Sequence, residues 1–486
     1  MDGFFGGVAT FSNFIWGGTW NDTRLLPVGV VTIALLGTGL FFMIGLRFRP
    51  FRRLGAAFGH LWRGRTAQGD GEITPWQAVS TALSGQVGTG NLAGVATAIT
   101  LGGPGAIFWM WVTAIVGMAA AFAESSLAVR FRERRADGQF HGGPMYYIRN
   151  GLGPRWGWLA VLFCIGATTS SLLTGNMIQA NSVAQSLLEA GRTLGMDVPN
   201  WAIGLAVATL TFLVIIGGIR SIGAFAGRLV PVMAIGYVLA ALLVLALNFE
   251  HLGTAFALIF RSALGFEPAA GGLAGYGVLA AIRAGVARGL FSNEAGQGST
   301  PIAHAAAKTN SPVRQGEIAM VGVFIDTIVV CTMTALVILV VQGSYVSGDG
   351  TQVVDYAWQS TDLQASAITT AAFAQGIAGG QWIVLAAQLL FAFTTIIGWS
   401  YYGEQAVIYL FGDRAALPFR YAWVVFVFIG TLIVNVDGLW LLGDIGNASM
   451  LFPNVIAILA LSGMVFAMAR EADARAAAGA PLPQRD

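Results

Sequence analysis

The chain of 486 residues is 56% hydrophobic and only 10% charged, with a net charge of +2 at pH 7. Soluble globular domains carry about 25% charged residues, so the composition excludes an ordinary soluble domain and gives no indication of a nucleic-acid partner. Apolar runs long enough to cross roughly 30 Å of hydrocarbon recur along the chain, and the alternating pattern of an outer-membrane barrel is absent. The composition therefore predicts an all-α polytopic membrane protein.

The first element in chain order is a segment rich in glycine and aromatic residues, which is predicted to form a short helix in the membrane interface. It lacks a basic region, so a cleaved signal peptide is not expected. Eleven transmembrane helices are predicted with no soluble domain between them, and the last residues are predicted to be a disordered tail. The predicted spans cover residues 27–46, 74–100, 105–129, 156–189, 200–217, 221–248, 277–309, 313–341, 378–411, 419–436 and 450–469.

The basic residues predict which loops face the cytoplasm. Loops 47–66 and 130–155 carry six arginines each, whereas the long loop 342–377 has aspartates and no basic residue. Because basic loops stay on the cytoplasmic side, the N-terminus is predicted to lie outside and the C-terminus inside. The predicted divisions are an N-terminal segment with an extra transmembrane helix and a basic cytoplasmic loop (1–73), two five-helix repeats (74–248 and 277–469) and a cytoplasmic tail (470–486).

Two predicted spans contain glycines and polar residues at membrane depth, in LSGQVGTGNLAG (83–94) and GLFSNEAGQGST (289–300). Glycine weakens a helix, and irregular backbone at this depth is tolerated only where it is buried in protein or lines a cavity. Each segment falls in the first span of a set of five, and an odd number of helices per set inverts the second set. Matching broken helices in inverted halves predict a transporter binding site. Glycine-mediated helix packing is the alternative for the first segment.

Polar residues in two further spans are also candidates for a site. Gln179, in TTSSLLTGNMIQANS, shares a helix face with Gly175 and is predicted to bond either a substrate or a neighbouring helix. Trp399, in FTTIIGWSYYGEQ, lies one turn after Thr395 and is predicted to wall a small pocket, with plain packing as the alternative.

Charged residues within spans need partners. Glu294 is predicted to pair with Arg288 or Arg283, and a proton-coupling role is the alternative. Glu124 is predicted to pair with a cytoplasmic arginine, and His304 to fill a helix interface.

Long segments of the chain resemble the alanine or glycine:cation symporter family, also called sodium:alanine symporters. The resemblance runs to about residue 468 and implies membership of the amino acid–polyamine–organocation superfamily. It also implies a leucine-transporter-like fold, with an extra helix before two inverted five-helix repeats. The segments are GTGNLAGVATAITLGGPGAIFWMWVTAIVGMA (88–119), HGGPMYYI (141–148), GLFSNEAGQGSTPIAHAAAKT (289–309), GVFIDTIVVCT (322–332) and GWSYYGEQ (398–405).

The resemblance implies roles for individual residues. Gln86 is neutral, so the ammonium group of a substrate is expected to rely on carbonyl and amide oxygens. Gln297 and His304 depart from the leucine and alanine expected at their positions. The implied substrate-binding residues are Gln86, Gly88, Thr89, Gly90, Asn91, Gln179, Phe291, Ser292, Asn293 and Trp399. The implied Na⁺ site consists of the hydroxyls of Thr394 and Thr395 and the carbonyls near Ser84 and Val87.

The sequence thus predicts a secondary active symporter that imports small neutral amino acids, chiefly alanine and glycine, with Na⁺ by alternating access. It is expected to be a multi-pass protein of the bacterial inner membrane, without an obligatory protein partner. A proton-coupled transporter on the same scaffold is the alternative. A membrane-embedded enzyme is disfavoured because the histidines fall in different regions, and a transport-fold sensor because the tail offers no signalling module. The histidines are His60, His141, His251 and His304.

Overall fold

The computed structural model describes residues 2–20, 23–67, 69–135, 138–265, 273–348, 350, 352–434 and 436–479, of which 2–5, 273–276 and 437 are described by their backbone only. The described part is mostly helical, as predicted, and its strands form three short antiparallel pairs. These pairs are β1 (Thr19–Trp20) with β2 (Thr23–Arg24), β3 (Glu133–Arg134) with β4 (Phe140–His141), and β5 (Tyr345–Ser347) with β6 (Gln352–Val354).

The helices fall into three groups, separated by two places where a predicted span loses its α-helical structure. These interruptions are residues 87–92 and 294–299. Before the first interruption they are α1 (Asp2–Ser12), α2 (Val30–Gly45), α3 (Arg49–Arg63) and α4 (Pro75–Gln86). Between the interruptions they are α5 (Ala93–Gly102), α6 (Gly105–Arg130), α7 (Pro144–Tyr147), α8 (Gly157–Leu172), α9 (Ile178–Thr193), α10 (Asn200–Ile215), α11 (Gly218–Leu247), α12 (Leu252–Leu264) and α13 (Leu273–Asn293). After the second they are α14 (Thr300–Ala305), α15 (Pro312–Val323), α16 (Thr332–Val340), α17 (Ser366–Gly376), α18 (Gly380–Phe411), α19 (Ala416–Leu432), α20 (Asp437–Ala460) and α21 (Ser462–Ala477).

Two helical pairs are continuous through wider, π-helical turns. Leu173–Met177 joins α8 to α9, and Phe324–Cys331 joins α15 to α16. Such turns are rare and occur frequently at functional sites. Thr174 of the first turn lines the central cavity described below, and Asp326 of the second turn bonds Asn91 and Ser292.

Seven helical segments among the described residues are long and apolar enough to cross a membrane, or eight if α2 and α3 form one span bent by 80°. The other predicted spans correspond to short helices, as in α2 and α10, or to helices interrupted at 74–100 and 277–309. The seven segments are Gly105–Arg130, Pro154–Thr193, Gly218–Leu247, Pro312–Val340, Gly380–Phe411, Asp413–Leu432 and Gly438–Ala460.

The last predicted span, 450–469, is misplaced. The structure has α20 instead, which begins at Asp437, followed by a separate helix, α21. The prediction left residues 437–449 outside its spans, but Asn447 is buried and accepts a hydrogen bond from Gln297. Polar side chains that face the interior of a helical bundle do not interrupt a span.

The predicted disordered tail is also wrong as far as the structure describes it. Residues 470–477 belong to α21, and Asp473 accepts a hydrogen bond from Arg49 at 2.8 Å. Residues 480–486 lie outside the described residues. The predicted basic loop 47–66 is largely helical, since α3 occupies most of it.

Glycines let some helices approach one another closely. A Cβ atom added to Gly175 would lie 2.5 Å from Trp399 of α18, and one added to Gly166 would lie 2.7 Å from the backbone nitrogen of Met450 in α20. Neither distance leaves room for a methyl group. The segment α8–α9 therefore packs against α18 and α20 at backbone distance.

A buried ion cluster joins three helices at one end of the bundle. Arg49 of α3 is 1% exposed and bonds Glu317 of α15 at 2.8 Å as well as Asp473 of α21. Arg53 reaches the same oxygen of Glu317 at 3.2 Å. Removing one member of a buried pair leaves the other charge without a partner, which is strongly destabilising.

Arg49→Leu is expected to lower the free energy of unfolding by about 3–5 kcal/mol, because it leaves buried carboxylate charge undercompensated. Chemical denaturation of the purified protein in detergent measures this loss. Arg52→Leu is the matched control, since Arg52 binds the same Asp473 from a position 47% exposed and its loss should cost about 1 kcal/mol or less. Equal losses in the two variants would contradict a structural role for the cluster.

Candidate functional site

The first interruption lies between α4 and α5, as the sequence predicts. The side-chain carbonyl of Asn91 accepts a hydrogen bond from the backbone nitrogen of Gly88 at 2.9 Å, and the Asn91 backbone nitrogen bonds the Gly88 carbonyl at 3.2 Å. In a continuous helix these two nitrogens would bond the carbonyls of Ser84 and Val87, four residues back. Both carbonyls are thus released from the helical pattern.

The second predicted interruption is also present, between α13 and α14. Asn293 again uses its side-chain carbonyl, here to accept from the backbone nitrogen of Ala295 at 3.0 Å. The next residue, Glu294, has φ of 55°, a left-handed conformation uncommon outside glycine that marks a strained site. Gly296 and Gly298 also have positive φ, so the chain reverses tightly before α14.

Hydrogen bonds tie the two interruptions together. Gln86 donates its side-chain amide to the carbonyl of Asn293 at 2.6 Å. Asp326, in the π-helical turn after α15, accepts from the Asn91 amide at 2.6 Å and from the Ser292 hydroxyl at 2.8 Å. Buried backbone and amide groups need such partners in a water-free interior.

A narrow cavity lies between the interruptions, α18 and the π-helical turn before α9. The space between its lining atoms totals about 340 Å³. Its lining residues are Gly85, Gln86, Gly88, Thr89, Gly90, Thr174, Gln179, Phe291, Glu294, Gln297, Thr395, Trp399 and Asn447. The residues expected to bind substrate that line it are Gln86, Gly88, Thr89, Gly90, Gln179, Phe291 and Trp399, and Thr395 of the expected Na⁺ site lines it as well.

Three residues expected to contact substrate do not line this cavity: Asn91, Ser292 and Asn293. Each is completely buried, and each side chain is bonded within the protein. These side chains hold the interruptions in shape rather than facing the cavity.

The residues expected to bind Na⁺ lie where α4 meets α18. A Cβ atom on Gly88 would lie 2.6 Å from the Thr395 hydroxyl oxygen, so only glycine lets the first interruption come this close to α18. The Thr394 and Thr395 hydroxyls both donate to carbonyls of their own helix, and of the two residues Thr395 lines the cavity. Oxygen atoms that could coordinate a cation are thus the Thr395 hydroxyl and the released carbonyls of Ser84 and Val87.

The predicted ion pair of Glu294 is wrong. Its carboxylate accepts from the indole nitrogen of Trp399 at 2.9 Å and from the Ser299 hydroxyl. Arg283 donates instead to the carbonyl of Pro27. Within the described residues, Glu294 bonds neutral donors and faces the cavity without a cationic partner.

The predicted pairing of Glu124 with an arginine is wrong too. Its carboxylate is completely buried and accepts from the Asn454 side chain and the Gly296 backbone nitrogen. His304 does fill a buried helix interface, as predicted, where its ring contacts Gln315 at 2.7 Å.

The cavity presents hydrogen-bond acceptors that lack donors. Gln86 and Gln179 are 4% and 3% exposed, and in the described part of the chain no donor reaches either side-chain oxygen. A buried acceptor without a partner costs about 1–3 kcal/mol. With Glu294, these two oxygens suit a small ligand that brings several N–H donors, such as an ammonium group.

Five lining residues were not recognised as site residues from the sequence: Gly85, Thr174, Glu294, Gln297 and Asn447. Asn447 has no distinctive motif around it, but Asp437, Asp444 and Asn447 are polar residues within the otherwise apolar stretch 437–447. That stretch was left outside the predicted spans. Glu294 was recognised as important and assigned the wrong partner.

Comparisons with known proteins agree with this architecture. The model of the sodium:alanine symporter family matches residues 18–484. The sodium/alanine symporter AgcS of Methanococcus maripaludis is 41% identical over 462 residues, which cover 94% of this chain and 95% of that one. An uncharacterized transporter of Haemophilus influenzae is 41% identical over 461 residues, 94% of each chain.

Among solved structures, a manganese transporter of Eremococcus coleocola aligns with a TM-score of 0.52 at 14% identity, covering 83% of this chain and 79% of that one. At this identity the likeness concerns the fold alone. Among the described residues of this chain, no group of three or more His, Cys, Asp or Glu side chains is placed to hold a metal ion. With its several apolar spans and the match along nearly its whole length, the chain is a multi-pass membrane protein that belongs to the sodium:alanine symporter family.

Proposed function

We propose that the protein is a symporter of the inner membrane that imports small neutral amino acids, chiefly alanine and glycine, together with Na⁺. The observation that carries the proposal is the cavity between two interrupted helices, with acceptors for an ammonium group and released carbonyls beside it. Membership of the sodium:alanine symporter family supports the coupling ion and the class of substrate. Binding and release of both solutes require no covalent chemistry.

The substrate is held at its two charged ends. Its ammonium group donates to Glu294 and to the side-chain oxygens of Gln86 and Gln179, which supplies the donors that these two amide oxygens lack. Its carboxylate accepts from the backbone nitrogens of Thr89 and Gly90, since the first amides of a helical turn have no partner within the turn.

The size of the cavity favours a short side chain. Phe291 stands on one side, where its ring meets that of Trp440 at a centroid distance of 5.5 Å. Trp399 stands on another and packs against Tyr402 at 5.5 Å. Rings this closely packed yield little space, so hydrogen and methyl side chains are accepted and larger ones are rejected.

Na⁺ binds between the first interruption and α18. The Thr395 hydroxyl donates to the Phe391 carbonyl at 2.9 Å, which leaves its lone pairs available to a cation. The carbonyls of Ser84 and Val87 complete the site. Thr394 is included because the family resemblance implies it, although its hydroxyl donates to the Leu390 and Phe391 carbonyls. Ion binding thereby fixes the geometry of the first interruption, on which the substrate carboxylate depends.

The proposed membrane arrangement has eleven spans, with the N-terminus outside and the C-terminus inside. Seven uninterrupted segments, two interrupted helices and the short helices α2 and α10 together supply that number. Residues 74–248 and 277–469 are the two inverted five-helix repeats, and residues 1–73 and 470–486 flank them. Exposure of the cavity alternates between the two sides as one set of helices tilts against the other.

One observation favours a second candidate, a proton-coupled transporter on the same scaffold. Glu294 is a cavity carboxylate held by neutral donors, and such a group can carry a proton as readily as it can bind an ammonium group. The two candidates differ in their need for Na⁺.

The coupling ion is tested by uptake of radiolabelled alanine into proteoliposomes at fixed pH. Replacing external Na⁺ by choline is expected to reduce initial uptake at least about tenfold, because the released carbonyls then lack their cation. A pH gradient imposed without Na⁺ serves as the control. Undiminished uptake in choline, driven by the pH gradient, would reject Na⁺ coupling in favour of the proton.

Glu294→Gln is expected to raise the KM for alanine about 10- to 100-fold, since a hydrogen bond to a charged group contributes about 1.5–3 kcal/mol. The measurement is uptake against alanine concentration at saturating Na⁺. Ser299→Ala is the matched control, because it removes one donor to Glu294 and keeps the carboxylate. An unchanged KM in Glu294→Gln would show that the ammonium group binds elsewhere.

The two roles of Trp399 can be separated by two substitutions. Trp399→Ala opens the wall and is expected to let larger neutral amino acids compete with labelled alanine. Trp399→Phe keeps a ring but removes the N–H donor to Glu294, so it should raise the KM for alanine without widening the range of competitors. A competition panel measures both effects. Identical profiles for wild type and Trp399→Ala would argue against the wall.

A further inference from the structure

Each interruption is capped in the same way, by an asparagine that turns its side-chain oxygen to a backbone nitrogen. Asn91 caps Gly88 at 2.9 Å in the first, and Asn293 caps Ala295 at 3.0 Å in the second. An asparagine amide can rotate by half a turn, which would exchange oxygen and nitrogen and present N–H groups to the backbone N–H instead. Something must fix the orientation of both amides.

The side-chain nitrogens of both asparagines are hydrogen-bonded to Asp326, one directly and the other through Thr327. Asn91 donates directly to its Oδ1 at 2.6 Å. Asn293 donates to the Thr327 hydroxyl at 3.2 Å, and that hydroxyl donates to Asp326 Oδ2 at 2.7 Å. An ionised carboxylate only accepts hydrogen bonds, so it requires the amide nitrogens to face it.

We propose that Asp326 is a positioning residue, which fixes both capping amides and, through that of Asn91, keeps the Ser84 carbonyl released for the coupling ion. Asp326 is completely buried and does not line the cavity, so it acts through Asn91 rather than on a ligand. This inference rests on the proposed function, because it concerns the affinity for Na⁺.

The chain of contacts from Asp326 to the carbonyl of Ser84 has two steps. The carboxylate holds the Asn91 amide, and the Asn91 oxygen occupies the backbone nitrogen of Gly88. With that nitrogen occupied, it cannot bond the Ser84 carbonyl as a helix would require. If the amide of Asn91 turned over, its N–H groups would repel Gly88 N–H, and the helical bond to Ser84 would be free to form.

Asp326→Asn tests this arrangement with little change of shape. The new amide presents N–H groups where a carboxylate oxygen stood, so it opposes a donor on Asn91, Ser292 or Thr327. The Na⁺ concentration that gives half-maximal alanine uptake is expected to rise at least about tenfold. The KM for alanine at saturating Na⁺ should change less than about threefold. Alanine uptake gives both values, and the Na⁺-dependent rise in melting temperature of the purified protein gives the first without transport.

The reversed pair provides the decisive variant. In Asn91→Asp combined with Asp326→Asn, the carboxylate at position 91 accepts from Gly88 with one oxygen and from the amide at position 326 with the other. Each hydrogen bond again joins a donor to an acceptor, so the Na⁺ affinity should return to within about threefold of wild type. Asn91→Asp alone sets two carboxylates against each other and should remain impaired. Thr327→Val, which cuts only the path to Asn293, should have a smaller effect on Na⁺.

The outcomes separate this inference from the proposed function. A wild-type protein without any response to Na⁺ would overturn the proposed function itself. A wild type that responds, with Asp326→Asn equal to it, would overturn the inference about Asp326. The inference would also be overturned if Asp326→Asn lost Na⁺ affinity and the reversed pair did not recover it. Should Asp326→Asn fail to fold, the reversed pair decides alone: near wild-type Na⁺ affinity supports the inference, and about a tenfold loss overturns it.

Discussion

The interior of the bundle contains two places where the backbone leaves its helix, and its polar groups there have no water to bond. Such groups must find partners within the protein. Asparagine and glutamine side chains meet this need because one amide both donates and accepts. Asn91, Asn293 and Gln86 supply the partners, and Gln86 joins one interruption to the other. The cavity and the released carbonyls exist only because these amides take the place of helical hydrogen bonds.

The protein treats its buried charges in two different ways. At one end of the bundle, Arg49 bonds both Glu317 and Asp473, which ties three helices together. Beside the cavity, Glu294 has only neutral donors in the described part of the structure, and its backbone is strained. The first arrangement serves stability. The second leaves a carboxyl group beside the cavity, where the proposed function assigns it to the ammonium group of the substrate.

The positions of the interruptions could be predicted from the sequence, because glycines weaken a helix and amides are costly in hydrocarbon, so that together they indicate a break within an apolar span. The partners of the charged residues could not. Glu294 was predicted to pair with an arginine because charged residues within spans need partners, but its hydrogen-bond donors, Trp399 and Ser299, are neutral. The bounds of α20 were missed because burial of Asn447 depends on its contact with Gln297 of another segment. Contacts between residues distant in the chain are set by packing, which local patterns do not encode.

The glycine contacts of α8–α9 limit how these helices can move. Residues on one face of a helix recur about once per turn, or about 5.4 Å along the axis, so a slide of one turn would bring a larger side chain to the place where Gly175 now meets Trp399, or Gly166 meets Met450. No such side chain fits. Axial translation by a turn is therefore blocked at both contacts, which favours motions in which α8–α9 keeps its register against α18 and α20.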